Sequence, residues 1–153
     1  MIEVTVVERS DNLERVVSAI NRASWDEDNE ITPYDADSLS SYLALQDTLF
    51  VTCHESSAAE SRLLGIASGR VETKPYGKQR WLYVDEVDVC ADHRQKGVGK
   101  LLMRKLLEIA KEQGCEELWL ATEVDNIPAN ALYRSLKPDD VVKVIGYTYE
   151  IGA

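Results

Sequence analysis

The stretch WLYVDEVDVCADHRQKGVGKLL, residues 81–102, decides the fold. In residues 81–90 apolar side chains alternate with acidic ones over much of the length, which predicts a strand. From Val98 onward the apolar residues recur at helical spacing through Ile109, which predicts an amphipathic helix that stops near Gly114. Gly97 and Gly99 lie where the strand passes into the helix, so the stretch predicts a strand, a glycine loop and a helix in direct succession.

The rest of the chain supplies the other elements of one α/β domain. The capping residues Ser10, Asp11 and Asn12 predict a first helix after an N-terminal strand. A short strand follows the long helix, and it should lie parallel to the strand of residues 81–90. The predicted strands are 2–8, 49–53, 63–71, 81–90, 116–121 and 141–151, and the further helices are 35–45 and 128–136. The expected fold class is α/β with a mixed sheet, in the order β-α-α-β-β-β-α-β-α-β, as a single domain over residues 1–153.

The composition narrows the classes of partner. Seventeen basic against 27 acidic residues give a net charge of −10, which disfavours nucleic acid and favours cationic small molecules. No apolar run reaches the roughly 18 residues that a membrane span needs, and MIEVTVVERS does not resemble a signal peptide. The three cysteines are widely spaced, so neither a disulfide framework nor a metal site is expected. We expect a cytoplasmic protein.

One segment is positively charged, although the chain as a whole is negatively charged. Between His93 and Lys105 there are five basic residues and no acidic one, and the two glycines open a helix there. A helix N-terminus offers unpaired N–H donors and partial positive charge, and glycines let an anion approach closely. The P-loop and dinucleotide patterns are both absent. The segment therefore predicts a pyrophosphate site, with a plain glycine-rich turn as the alternative.

Two motifs together resemble the GNAT superfamily of N-acetyltransferases. They are R-x-x-G-x-G at residues 94–99 and Asn126-x-x-Ala129-x-Ala131-Leu132-Tyr133. The resemblance implies that Asn126 contacts the cofactor's pantetheine or amides and that Tyr133 lies beside the thioester sulfur. It also implies a loop that holds the pyrophosphate of coenzyme A, formed by Arg94, Gln95, Lys96, Gly97, Val98, Gly99 and Lys100. The chain has Lys137-Pro138 where the superfamily usually has Gly-Phe, which leaves the shape of the last strands open.

The acidic strand supplies the candidate catalytic group. Alternation puts Glu86 and Asp88 on one face, with Asp85, Val87 and Val89 on the other. By the resemblance, Glu86 is the general base that makes the amine neutral, and Asp88 is an orienting or substrate-binding neighbour. A backbone N–H near Val87 to Val89 would polarise the carbonyl oxygen.

Two further residues keep alternative interpretations. Tyr133 either donates a proton to the departing thiolate or simply packs in the core. We interpret Cys90 as a packing residue rather than a nucleophile, because His54 and His93 both look like surface residues.

A second acidic group follows the last predicted parallel strand. Glu123 and Asp125 lie where ligands bind in α/β sheets, at the end of such a strand. With Glu86, Asp88 and the acidic loop of residues 25–30, they could line one cleft for a polyamine. The alternative is that these acidic residues only keep the chain soluble.

A closer resemblance concerns the acceptor. Residues 41–55, 81–89 and 121–151 resemble the aminoglycoside 3-N-acetyltransferases of GNAT type. This implies that Glu86 and Glu123 bind amino groups of the antibiotic, that acetyl-CoA donates an acetyl group to the 3-amino group, and that the result is antibiotic resistance. Superfamily members are commonly dimers, so a homodimer is possible. The alternatives are a GNAT enzyme for polyamines, amino acids or protein amines, and a non-catalytic CoA-binding domain.

Overall fold

The computed structural model describes residues 1–25, 31–57, 60–94 and 96–152. By its internal contacts the chain divides into two compact units, the first ending at Leu120 and the second beginning at Ala121. Residues 26–30 of the predicted acidic loop 25–30, and Gln95 of the predicted cofactor loop, lie outside the described residues.

The first unit contains the whole sheet. Its elements are β1 (Ile2–Val6), α1 (Leu13–Arg22), α2 (Ala36–Ala44), β2 (Thr48–Ser56), β3 (Ser61–Thr73), β4 (Arg80–Val89), a 3₁₀ turn (Ala91–His93), α3 (Val98–Glu112) and β5 (Glu117–Trp119). The strands lie in the order β1-β2-β3-β4-β5, antiparallel except for the parallel pair of β4 and β5. This confirms the mixed sheet and the fold class. The second unit contains one helix, α4 (Ile127–Ser135).

Helices cover both faces of the sheet. On one face α1 and α2 pack over Phe50 and Ile66, in a cluster that also contains Val7, Leu13, Val17, Ile20 and Leu39. On the other face α3 lies against Gly65, where an added Cβ would come within 3.1 Å of Val98 and Leu102. The absence of a side chain at Gly65 therefore allows α3 to approach the sheet closely.

A β-bulge interrupts β4. Glu86 pairs with Ser68 while Val84 pairs with Gly69, so Asp85 is an extra residue with no partner in β3. The prediction that Asp85 shares a face with Val87 and Val89 is wrong. Its carboxylate lies 2.9 Å from Nη1 of Arg70, which the register places on the face of Glu86. The bulge causes this because the extra residue breaks the two-residue alternation.

The predicted C-terminal strand does not form. Residues 141–151 have no regular secondary structure, and none of them pairs with a described strand. Their apolar side chains alternate as in a strand, but a strand is stable only where its backbone groups find a partner. The strand predicted at 116–121 is likewise reduced to Glu117–Trp119.

None of the helices formed by the described residues has the length and apolar character that crossing a bilayer requires.

Candidate active site

The N-terminus of α3 differs from those of the other helices. Asn12, Asp35 and Asn126 cap α1, α2 and α4 by accepting a hydrogen bond from a first-turn amide. At α3 the capping position is Gly97, with φ of +84°, which has no side chain to accept such a bond. The backbone ladder starts only with the bond from Leu101 N to Gly97 O at 3.1 Å. The first-turn amides of α3 thus lack the acceptor that the capping side chain supplies in the other three helices.

The residues around this helix end suit a phosphate group. Gly97 adopts a left-handed conformation, and a Cβ there would meet no atom within 4 Å, so glycine is needed for the backbone angle. Lys96 and Lys100 are exposed on either side of it, and the first turn of α3 contains no acidic residue. Backbone donors, a helix dipole and cationic side chains are the groups that bind a diphosphate.

Two carboxylates lie on the face of β4 that carries α1 and α2. Glu86 and Asp88 pair with Ser68 and Ile66, and Ile66 belongs to the core under those helices. Glu86 is exposed and Asp88 is half-buried. Burial, and then the charge of Glu86, raise the pKa of Asp88 to about 6, against a smaller opposing effect of Arg94. Glu86 and Asp88 therefore share one face of β4, as predicted. The chain continues from this strand into the basic loop before α3.

Two tyrosines that the sequence analysis missed adjoin these carboxylates. Tyr34 packs edge-on against Phe50 at 5.8 Å, and the Asn21 side chain bonds both its N–H and its carbonyl at 2.9 Å. Burial, followed by the charges of Glu86 and Asp88, raises the pKa of the Tyr34 hydroxyl.

Tyr42 is held differently. Its hydroxyl donates to the Gly69 carbonyl at 2.8 Å, and burial, followed by the charge of Asp85, raises its pKa to about 12. Both tyrosines stay neutral near pH 7 and present polar side chains beside the acidic strand. No local pattern signals that these tyrosines adjoin the acidic strand, because Asp85 and Glu86 lie more than 40 residues further along the chain.

The second half of β4 has an uncovered backbone edge. The amide of Cys90 donates to the Leu64 carbonyl at 2.8 Å, so it points towards β3. Backbone direction alternates along a strand, hence the amides of Val89 and Val87 point away from β3. On that side β5 pairs with β4 only from Trp81 to Tyr83. None of the described strands pairs with these two amides. They are therefore placed to donate hydrogen bonds to the carbonyl oxygen of a ligand.

The remaining predicted residues lie in the second unit, around the start of α4. Asn126 caps α4, with its Oδ1 accepting from the Ala129 amide at 3.1 Å. Asn130 Nδ2 donates to the Glu123 carbonyl at 3.0 Å, which fixes the turn before the helix. Glu123 and Asp125 are exposed, and Tyr133 is half-buried on α4. Asn126 thus has a structural role, and only its amide nitrogen is left for a ligand.

Among the described residues no group of three or more His, Cys, Asp or Glu could hold a metal ion.

The order of these features matches a known family. The family model described as "Acetyltransferase (GNAT) family" matches residues 15–137, most of the chain. The chain belongs to the GNAT acetyltransferases. Acetyl-CoA is the cofactor of this family, which confirms that prediction at the level of the family.

Two curated relatives show how far the sequence similarity extends. Streptothricin acetyltransferase from Streptomyces lavendulae is 38% identical over 55 residues, which are 36% of this GNAT chain and 29% of the relative. Thialysine N-epsilon-acetyltransferase from Bos taurus is 31% identical over 70 residues, 46% of this chain and 41% of the relative. The chain thus spans less than half the length of these relatives.

Solved structures share the fold over almost the whole chain. The aminoglycoside acetyltransferase meta-AAC0020, from an uncultured soil metagenomic sample and in complex with sisomicin, gives a TM-score of 0.82 at 17% identity, covering 99% of this chain and 97% of that one. AAC(6')-Iy, in complex with a CoA bisubstrate analogue, gives 0.72 at 15% identity, covering 98% and 99%. At these identities the likeness is one of fold.

Proposed function

We propose that this chain transfers an acetyl group from acetyl-CoA to a primary amine of a polycationic small molecule, namely the 3-amino group of an aminoglycoside. The observation that carries the proposal lies within the first unit. A strand with two carboxylates on one face, and with edge amides that none of the described strands pairs, is followed after one 3₁₀ turn by a helix N-terminus whose capping residue is a glycine. An acyl-transfer site needs these three parts: a base, an oxyanion donor and an anion cradle.

The cofactor would be held chiefly by the loop of residues 94–100. The amides of Val98, Gly99 and Lys100 would donate to the diphosphate, with Arg94 and Lys96 as neighbouring positive charges. Asn126 would contribute its amide nitrogen to the pantetheine amides, because its oxygen already caps α4. Acetyl-CoA, when bound, supplies the acetyl thioester.

Glu86 would accept the proton that the acceptor's ammonium group must lose before it can attack. An alkyl ammonium has a pKa near about 10, so at neutral pH it needs such a base. Asp88 would attract and orient the same group. The amides of Val87 and Val89 would donate hydrogen bonds to the carbonyl oxygen as negative charge develops on it.

The acetyl group would pass directly to the amine rather than through a covalent intermediate on the chain. Cys90 is 4% exposed, its Sγ lies 3.4 Å from the Leu63 carbonyl, and burial raises the pKa of its thiol to about 11. A thiol in that state is a poor nucleophile. Tyr133 would donate a proton to the leaving thiolate, a modest contribution because a thiol pKa is only about 8.5.

Charge supports a polycationic acceptor. The net charge of −10 attracts cations over a distance, and Glu86 and Asp88 add local negative charge in the first unit, as Glu123 and Asp125 do in the second. The fold neighbour crystallised with sisomicin favours an aminoglycoside, and the relative named for streptothricin favours an antibiotic amine more generally. Resistance in cells and a homodimer remain predictions.

The test is CoA release by the purified chain with gentamicin, spermidine and a peptide as acceptors. The proposal predicts turnover with gentamicin and acetylation of its 3-amino group, read by NMR of the product. Turnover only with spermidine or the peptide would contradict the aminoglycoside assignment and keep the acetyltransferase. Binding of CoA without thiol release from any acceptor would contradict the enzyme and favour the non-catalytic alternative.

A further inference from the structure

A row of aromatic side chains lies beside the acidic part of β4. This aromatic row consists of Trp81, Tyr83 and Trp119. The rings of Trp81 and Tyr83 are stacked with centroids 6.1 Å apart, and Trp119 lies 6.0 Å from Tyr83. The bulge at Asp85 places Trp81 and Tyr83 on the same face as Glu86, and the parallel register places Trp119 beside Tyr83. Trp119 is 39% exposed, so the row is open to solvent at its β5 side.

The row already binds cations of its own chain. The Lys74 ammonium lies 4.3 Å from the Trp81 ring centroid and 4.8 Å from that of Tyr83, and it donates a hydrogen bond to the Tyr83 hydroxyl. The Arg70 guanidinium lies 5.8 Å from the Tyr83 centroid. These are the distances at which an aromatic face attracts a cation.

The two cations are held differently. Arg70 bonds Glu72 at 2.7 Å and Asp85 at 2.9 Å, so two carboxylates hold it in place. Lys74 lies on the connection between β3 and β4, and its hydrogen bond to Tyr83, the largest cause, raises its pKa. Its side chain is half-buried against the rings of Trp81 and Tyr83. Because Lys74 is held by two aromatic rings and a neutral hydroxyl, it leaves its position more readily than Arg70, which two carboxylates hold.

Acidic residues flank the position that Lys74 occupies. In the register Trp81 pairs with Glu72 on β3 and with Glu117 on β5. Aromatic faces between two carboxylate-bearing strands attract an ammonium group more strongly than either feature alone. The aromatic row and the carboxylates beside it therefore favour binding of a cation.

We propose that the aromatic row is a second cation subsite, which binds an ammonium group of the acceptor other than the one that reacts and from which that group displaces Lys74. This inference rests on the proposed function. On β3 the residue opposite Glu86 is Ser68. Tyr83 lies opposite Arg70, two residues further along, and Trp81 lies opposite Glu72, four residues further along. At the rise of a β-strand this puts the subsite about 7–13 Å from Glu86, a spacing that suits molecules with several separated amines.

The test compares KM values for gentamicin and cadaverine with that for ethylenediamine, whose amines are too close to reach both positions. Tyr83→Leu should raise the KM for gentamicin and cadaverine about fivefold and leave that for ethylenediamine and for acetyl-CoA unchanged. Tyr83→Phe, which keeps the ring, should lose less. An equal loss in the Leu and Phe variants, or an unchanged KM in both, would overturn the subsite.

The Lys74→Met variant provides an independent test, because Lys74 lies on the connection between β3 and β4 and not within a strand. Removing the competing ammonium should lower the KM for cadaverine about threefold, within the range of an exposed cation–π contact. Lys78→Met removes an equal charge from the same connection and serves as the matched control. A KM that rises in Lys74→Met, or falls equally in both variants, would overturn the proposal.

Calorimetry separates this inference from the proposed function. Spermidine is titrated into the chain without acetyl-CoA, and the Tyr83→Leu variant should bind it about fivefold more weakly than the wild type. If no amine is acetylated but this difference is found, the enzyme assignment fails and the subsite stands. Equal spermidine affinities in an active enzyme would overturn the subsite alone.

Discussion

The two halves of β4 share one strand but differ in how they are paired and buried. From Arg80 to Val84 the strand lies between β3 and β5, and Leu82 is fully buried. Beyond the bulge, from Glu86 to Val89, the only described strand that pairs with it is β3, and its side chains are exposed or half-buried. The bulge at Asp85 marks the boundary. The first half stabilises the sheet, and the second half offers a free backbone edge and carboxylates at the place where the glycine loop begins.

Glu86→Gln tests the second half and should have the largest effect. Loss of a general base should lower kcat about 10²–10⁴-fold. The KM for acetyl-CoA should stay unchanged, because the cofactor is held by the loop. Steady-state kinetics with gentamicin measure both quantities.

Asp92→Asn is the matched control for that variant. It removes another carboxylate from the same acidic segment, one that lies 71% exposed and 3.8 Å from Arg62. Its turnover should equal that of the wild type. If both variants lose activity equally, the effect comes from net charge and Glu86 is not the base.

Leu82→Ala tests the first half. Truncating a fully buried leucine should lower the free energy of unfolding by about 2–5 kcal/mol, as measured by urea denaturation. The fraction that stays folded should keep its KM for acetyl-CoA. A large rise in that KM without loss of stability would contradict the view that the first half of β4 stabilises the sheet and the second half carries the site.

Asp88→Asn should have the smallest effect on stability and the clearest dependence on pH. The pKa of Asp88 lies above its ordinary value of 3.8, at about 6, so ionisation destabilises the native state as pH rises through this interval. Below about pH 4 the carboxyl is neutral in both states and the variant gains nothing. Above about pH 7 it should be more stable than the wild type by about 1–2 kcal/mol, the shift being discounted for partial exposure.

Thermal unfolding of both proteins across this pH range gives the measurement. A stability difference that is independent of pH would mean that Asp88 is not destabilised by burial and by Glu86.

Local patterns account for the parts of this molecule that the sequence predicts well. Alternation predicts the bounds of β4 to within one residue at each end, and helical spacing predicts the start of α3 at Val98. Glycines, basic residues and a helix start coincide in residues 94–100, and the structure confirms the helix start at Val98. Each of these features depends only on near neighbours in the chain.

The remaining features depend on pairing between distant segments. The bulge at Asp85 exists because β3 and β4 are matched across it, and a single strand does not reveal that. Tyr34 approaches Glu86 only through packing of the segment before α2 on the sheet. Residues 141–151 show the opposite case, since their alternation predicts a strand but none of the described strands provides a partner.

The most direct test of the central claim is a calorimetric titration of the chain with CoA, dephospho-CoA and pantetheine. If the first turn of α3 holds the diphosphate, the two compounds that carry it should bind about a hundredfold more tightly than pantetheine, the equivalent of one or two charge-assisted hydrogen bonds. Equal affinities for all three compounds, or no binding of CoA, would contradict the claim that this helix end is the cofactor site.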